Sequence, residues 1–218
     1  MYPAAVLFDL DGTLVDTERA NVESVVLACR RWGAELDRED RAFVVGHSWN
    51  EIHTLIQRKH RIPPDMHQLI AAAVDEKRRI MLEQGYTPLP GAVELVKRLA
   101  ERTKLAVVSG ASKVEVEEAV AGIGLTDCFQ FLMGAQDYNR GKPHPEPYQM
   151  AMQRLGVSSE SVIVVEDAEP GILAGRAAGA KVIAVRIANF SGYDLSAANV
   201  VVETLVDVTD DLCERLLS

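Results

Sequence analysis

Asp9 and Asp11 stand two residues apart at the end of the apolar run Ala5-Val-Leu-Phe-Asp-Leu-Asp-Gly-Thr-Leu-Val15, and Gly12 breaks the run behind them. Residues two apart in an extended strand share a face. The two carboxylates therefore crowd together at the strand's carboxyl end, where open α/β sheets place their ligands. Like charges that close need a cation, a shared proton, or both. Such a pair suits a metal-assisted nucleophile with an acid/base partner. Its plainer account is an Asp-Gly turn after a buried strand.

Further along, other apolar runs end in polar groups. Ala106-Val-Val-Ser109-Gly110 offers a hydroxyl and a glycine amide beside a following helix start, a setting for an oxyanion. Val164-Val-Glu166-Asp167 adds two more carboxylates. Between them Gly141-Lys142-Pro143-His-Pro145 holds a lysine among rigid residues. Four acids, a hydroxyl and one ammonium describe a magnesium site joined to a phosphate site. Each group also has an ordinary role: Ser109 as a strand end, Lys142 as a surface lysine, Glu166 and Asp167 as acids at a helix start. Those roles require separate coincidences at equivalent strand ends, whereas one site accounts for all of them.

The elements that position these residues alternate. Residues 4–10 read as a buried strand. Helical spacing then runs through Val22, Val25, Val26, Cys29 and Trp32 to Gly33. Ser48-Trp-Asn-Glu51 reads as a capping box opening a helix to about residue 59. After Pro63-Pro64 another helix is expected from about residue 65 to 84, and residues 85–91 have the composition of a linker. Next come a helix near 91–102, a strand at 105–109, a helix from the Ser112-Lys-Val-Glu115 capping box to about 122, and a short strand near 130–133. A helix from Pro145, a strand at 161–166, a helix at 169–178 and a strand at 181–185 follow, with a last strand at 199–202 and a terminal helix. Alternating β and α elements with continuously apolar strands imply a parallel sheet covered on both faces. The expected architecture is α/β, a Rossmann-like parallel-sheet core (1–15 and 88–218) with an inserted all-helical cap domain (16–87).

The chain has 218 residues, 48% hydrophobic and 25% charged, within the globular range. Its net charge of −9 argues against nucleic acid as partner. Residues 16–87 carry 11 basic and 12 acidic side chains, and the remainder 12 and 20. An acidic body that binds an anion needs locally placed cations, which points to isolated lysines and a metal. No run approaches the ~18 apolar residues of a membrane span, and no secretory pattern opens the sequence. Cys29, Cys128 and Cys213 are few and scattered, as for reduced thiols in a cytoplasmic protein. A monomer or weak homodimer is expected.

The ordered set Asp9-Leu-Asp11-Gly-Thr, Ser109-Gly110, Gly141-Lys142-Pro143 and Glu166-Asp167, with Gly171 and Ala178-Gly179, resembles the haloacid dehalogenase superfamily along essentially the whole chain. The helical insert resembles the cap of the subgroup containing phosphoglycolate phosphatase, sugar-phosphate phosphatases and β-phosphoglucomutase. The resemblance implies that Asp9 is the nucleophile, forming an aspartyl-phosphate, and that Asp11 is the acid/base. It implies Mg²⁺ on the Asp9 carboxylate, the Asp11 backbone carbonyl and Asp167, with Glu166 a ligand or a residue behind the ligands. Ser109, the Gly110 amide and Lys142 would hold the phosphoryl oxygens. True dehalogenases of the superfamily lack the second aspartate and need no metal, so Asp11 marks a phosphoryl-transfer member.

The expected activity is Mg²⁺-dependent phosphatase action on a small phosphorylated metabolite, a sugar phosphate first. The alternative is a phosphosugar mutase. Trp49 stands where β-phosphoglucomutase has an arginine, which counts against the mutase; Arg58 or Lys113 could substitute, and Lys113 keeps its place after the Ser112 cap. His47, Trp49 and Lys113 are the candidate specificity residues, although Gly46 as a turn, Ser48 as a cap and Trp49 as packing explain the cap segment equally. A receiver-like signalling domain groups similar residues, but on a later strand and without a helical insert.

Overall fold

The computed structural model describes residues 1–45, 47, 49–60, 62, 65–189 and 192–218. The Gly46 turn, the Ser48 cap and the Pro63-Pro64 break expected from sequence lie outside the described residues. The chain divides into two compact units, one of residues 1–16, 87–189 and 193–218, the other of residues 17–86 and 190–192.

The first unit is built on a six-stranded sheet of β1 (Ala5–Phe8), β2 (Lys104–Val108), β3 (Phe131–Met133), β4 (Val162–Glu166), β5 (Lys181–Val185) and β6 (Val200–Val202). The strand order is β3-β2-β1-β4-β5-β6, and every pairing is parallel. Strand order therefore reverses between β1 and β4, the switch point where doubly wound sheets open a crevice at their carboxyl edge. Ala5, Leu7, Val162 and Val164 pack on one face, and their neighbours Val6, Phe8, Ile163 and Val165 are as fully buried on the other. Burial on both faces is why these strands read as unbroken apolar runs.

The second unit holds α1 (Glu18–Arg30), α2 (Arg38–Val44), α3 (Trp49–His60) and α4 (Met66–Gln84). Val25, Val26, Ala28 and Cys29 of α1 share a core with Ile52, Ile56, Leu69, Ala72 and Ala73. The short α2 was not foreseen as an element. Its signal is local: the Asp37 carboxylate accepts from the Glu39 and Asp40 amides, and Asp40 returns a bond to the Asp37 amide, a reciprocal cap. Lys59 reaches back from α3 to both acids, at 2.6 Å from Asp37 and 2.8 Å from Asp40.

Crossovers of the first unit are α5 (Ala92–Ala100), α6 (Lys113–Gly122), α7 (Glu146–Leu155) and α8 (Glu169–Ala177), and α9 (Asp210–Leu216) ends the chain. The Ser112 hydroxyl accepts from the Glu115 amide while Glu115 accepts from the Ser112 amide, so α6 starts where the capping box places it. Pro145 opens α7, where the missing amide hydrogen costs nothing. Tyr148, Ala151, Met152 and Leu155 of α7 and Ile172 and Ala174 of α8 cover the face of Ala5, Leu7, Val162 and Val164. Among the described residues no helix is long and apolar enough to cross a membrane.

Candidate active site

Strand alternation and register decide which side chains meet. Phe8 pairs with Val165 across β1 and β4, so Asp9 and Glu166, one residue on, lie abreast. Both have the parity of the residues beneath α7, so they project toward that helix and the loop feeding it. The loop delivers Lys142. Its Nζ donates to Asp9 Oδ1 at 2.5 Å, to Glu166 Oε1 at 2.6 Å and to the Val108 carbonyl at 2.9 Å. The first turn of α7 clasps that loop, because Glu146 accepts from the Asn139 amide (2.7 Å) and from Arg140 Nε (3.0 Å).

One carboxylate oxygen from each of Asp9, Glu166 and Asp167 lies within 4.8 Å of the other two, a group that could hold a metal ion. Asp9 is 8% and Glu166 1% exposed. Ionised, the three carboxylates carry two more negative charges than Lys142 offsets, the amount a divalent ion supplies, and an all-oxygen donor set matches Mg²⁺. Burial pushes the Asp9 carboxyl up to about 7 against the pull of Lys142, with Glu166 and Asp11 raising it further. Burial and the charge of Asp9 raise Asp167 well above the usual carboxylate range. Burial disfavours the Lys142 ammonium, but Asp9 and Glu166 outweigh it and hold the group well above its ordinary value.

Asp11 is half-buried, and its charge acts on both Asp9 and Asp167. Gly12 makes the close approach possible. Its φ is +77°, and a Cβ there would sit 2.2 Å from Asp167 Oδ2. Ser109 is fully buried one residue beyond the carbonyl that Lys142 contacts. Its hydroxyl accepts from the Ala111 amide at 3.0 Å, and Gly110 next to it is exposed.

Three residues escaped sequence reasoning. Thr13 Oγ1 donates to Asp167 Oδ1 at 3.3 Å, and its signal was its place in the Asp-Gly-Thr turn. Tyr138 donates to the Ser109 carbonyl at 2.9 Å. Tyr148, fully buried, donates to Glu166 Oε1 at 2.6 Å. Its place in the first turn of α7, against Glu166, is visible only once that helix is placed.

The specificity candidates are each defined by their own surroundings. The Lys113 ammonium bonds to the Leu132 carbonyl and lies 3.7 Å from Asp137, beside β3 rather than on Asp9 or Glu166. His47 is exposed and stacks on Phe43, ring centroids 3.7 Å apart. Trp49 is partly buried against the core of the helical unit.

A family model for haloacid dehalogenase-like hydrolases matches residues 6–185. The chain is 35% identical over 184 residues to hexitol phosphatase A of Escherichia coli (strain K12), covering 82% of this chain and 81% of that protein. It is 32% identical to the fructose-1-phosphate phosphatase of the same organism, covering 84% and 97%. A bifunctional riboflavin kinase/FMN phosphatase of Arabidopsis thaliana is 28% identical over 94% of this chain, which spans 54% of that longer protein. The crystal structure of CbbY from Rhodobacter sphaeroides in complex with phosphate superposes with a TM-score of 0.78 at 22% identity, over 94% of this chain and 96% of that one. Architecture, motif order and sequence thus agree, and the chain belongs to the haloacid dehalogenase-like hydrolase family.

Proposed function

We propose that this protein is a Mg²⁺-dependent phosphatase that hydrolyses a small phosphorylated metabolite, a sugar phosphate, through an aspartyl-phosphate. The observation that carries this is the meeting of Asp9, Glu166, Asp167 and Lys142 at the sheet's switch point. Relatives at 30% identity or more named as sugar and hexitol phosphatases support hydrolysis over the mutase reaction.

In the first half-reaction an Asp9 carboxylate oxygen bonds to phosphorus as the bond to the ester oxygen breaks. Asp11, protonated, gives its proton to the departing alkoxide. In the second, Asp11 takes a proton from water, whose oxygen bonds to phosphorus. The bond between phosphorus and Asp9 breaks, and inorganic phosphate leaves. Lys142, Ser109 and the Gly110 amide hold the phosphoryl oxygens. Asp9, Asp167 and the Asp11 carbonyl would hold Mg²⁺, with Glu166 beside them. That ion supplies the charge that lets a dianionic phosphate approach a carboxylate.

Residues 16–87 are assigned as the specificity cap of a core of residues 1–15 and 88–218, with His47 and Trp49 as its candidate substrate contacts. A cytoplasmic monomer or weak homodimer completes the proposal. The test is phosphate release from a panel of sugar phosphates, glycolate phosphate and nucleotides. Activity that EDTA silences and Mg²⁺ restores is expected; full turnover in excess EDTA would falsify the metal's role.

A further inference from the structure

Tyr148 has no part in the steps above, yet it is tied into their machinery. Its ring belongs to the core beneath the sheet, a place that phenylalanine would fill as well. Its hydroxyl is another matter: it donates at 2.6 Å to the same Glu166 Oε1 that accepts from Lys142 at 2.6 Å. We propose that Tyr148 is a positioning residue, whose hydroxyl fixes the Glu166 carboxylate in the orientation that holds the Lys142 ammonium beside Asp9.

Glu166 is confined from two sides. On the α8 side, a Cβ at position 171 would lie 1.7 Å from Glu166 Oε1, so Gly171 is what lets the carboxylate occupy its place. On the α7 side, Tyr148 supplies the one hydrogen bond to Oε1 besides that of Lys142 among the bonds described. The remaining oxygen, Oε2, meets the Asp167 amide at 3.2 Å. Oε1 is thus committed to Lys142 and Tyr148, which fixes how the carboxylate faces the neighbouring Asp9 and Asp167 oxygens. Lys142 lies 5.0 Å from the Tyr148 ring centroid, so ring and hydroxyl both border the ammonium. The cation and its restraint come from one short segment: Lys142 from the loop before α7 and Tyr148 from the first turn of that helix. A bond to a charged group in a buried network orients it more strictly than a bond in water. A preplaced ammonium stabilises charge that develops during transfer without reorganising, and a misplacement of about 1 Å can cost on the order of a hundredfold.

This role rests on the phosphoryl-transfer reaction proposed above. The test uses the full chain loaded with Mg²⁺, with p-nitrophenyl phosphate as substrate and aluminium fluoride as a mimic of the phosphoryl group in transfer. Tyr148→Phe is expected to lower kcat about tenfold, with KM moved by less than about threefold. It should weaken aluminium fluoride binding, read by calorimetry, by a factor similar to the loss in kcat. Adding Tyr148→Phe to Lys142→Ala should slow the enzyme no further, because a residue acting through Lys142 then has nothing to position. Equal losses on both backgrounds overturn the proposal, as does a Tyr148→Phe variant with wild-type kcat and aluminium fluoride affinity. A wild-type chain that neither releases phosphate nor binds aluminium fluoride removes the phosphatase assignment itself, and this role with it.

Discussion

At the residue scale, the site is an arrangement of charge before it is an arrangement of shapes. Asp9 is buried, close to Glu166 and Asp11, and meets Lys142 at 2.5 Å. Its expected nucleophilic role makes a specific demand: the amide of Asp9→Asn is nearly isosteric, yet lacks the anionic oxygen that bonds to phosphorus. Turnover should fall by about 10⁵-fold or more, while the thermal unfolding midpoint stays at or above that of the unmodified chain. The midpoint should not drop, because burial has already raised the Asp9 carboxyl to about 7. Holding it ionised above that pH opposes folding. An active Asp9→Asn preparation, free of wild-type protein, would reassign the nucleophile. Four of the positions named from sequence, Asp9, Lys142, Glu166 and Asp167, do converge. Tyr148 stayed hidden because a tyrosine at a helical core spacing is indistinguishable from packing until its hydroxyl has a partner.

At the scale of elements, caps and register carry most of the order. Removing the reciprocal cap of α6 with Ser112→Ala should cost about 1 kcal/mol, measured by urea unfolding, and a neutral result would leave α6 held by packing alone. In the helical unit, the hydrogen bond from Lys59 and the Asp40 amide hold the exposed Asp37 carboxyl down to about 2. A depressed acid contributes stability that is complete above its unfolded value and lost as pH falls through the folded one. Thermal unfolding between pH 5 and pH 2 should therefore show the chain weakening from about pH 4 downward. Asp37→Asn should flatten that slope; an unchanged slope would assign the acid transition to other groups. Apolar spacing anticipated α1, the Ser48-Trp-Asn-Glu51 capping pattern anticipated α3, and the stretch after Pro63-Pro64 anticipated α4. None of these signals marked α2, which buries only Asp40, an acid, along its seven residues.

At the scale of the whole molecule, thiol chemistry reports on both units. Burial, with Asp40 nearby, pushes the Cys29 thiol up to about 12 in the helical unit, and burial pushes Cys213 up to about 11 in the sheet unit. Cys128 is only partly buried. Alkylation of the folded chain near pH 8 should be fast at one thiol, Cys128, and become fast at all three only in denaturant. Rapid labelling of Cys29 would show that the helical unit opens far more readily than its core implies. The sequence by itself determined the order of the motifs, the alternation of strands and helices and the block of helices set between them, because these are written in local spacing and residue type. Only the tertiary structure decided that β1 lies between β2 and β4, that Asp9 stands abreast of Glu166, and that Tyr148 and Gly171 close on the carboxylate holding Lys142. Those are adjacencies between distant segments, fixed by strand register and by which face each side chain takes, and a linear pattern does not carry them.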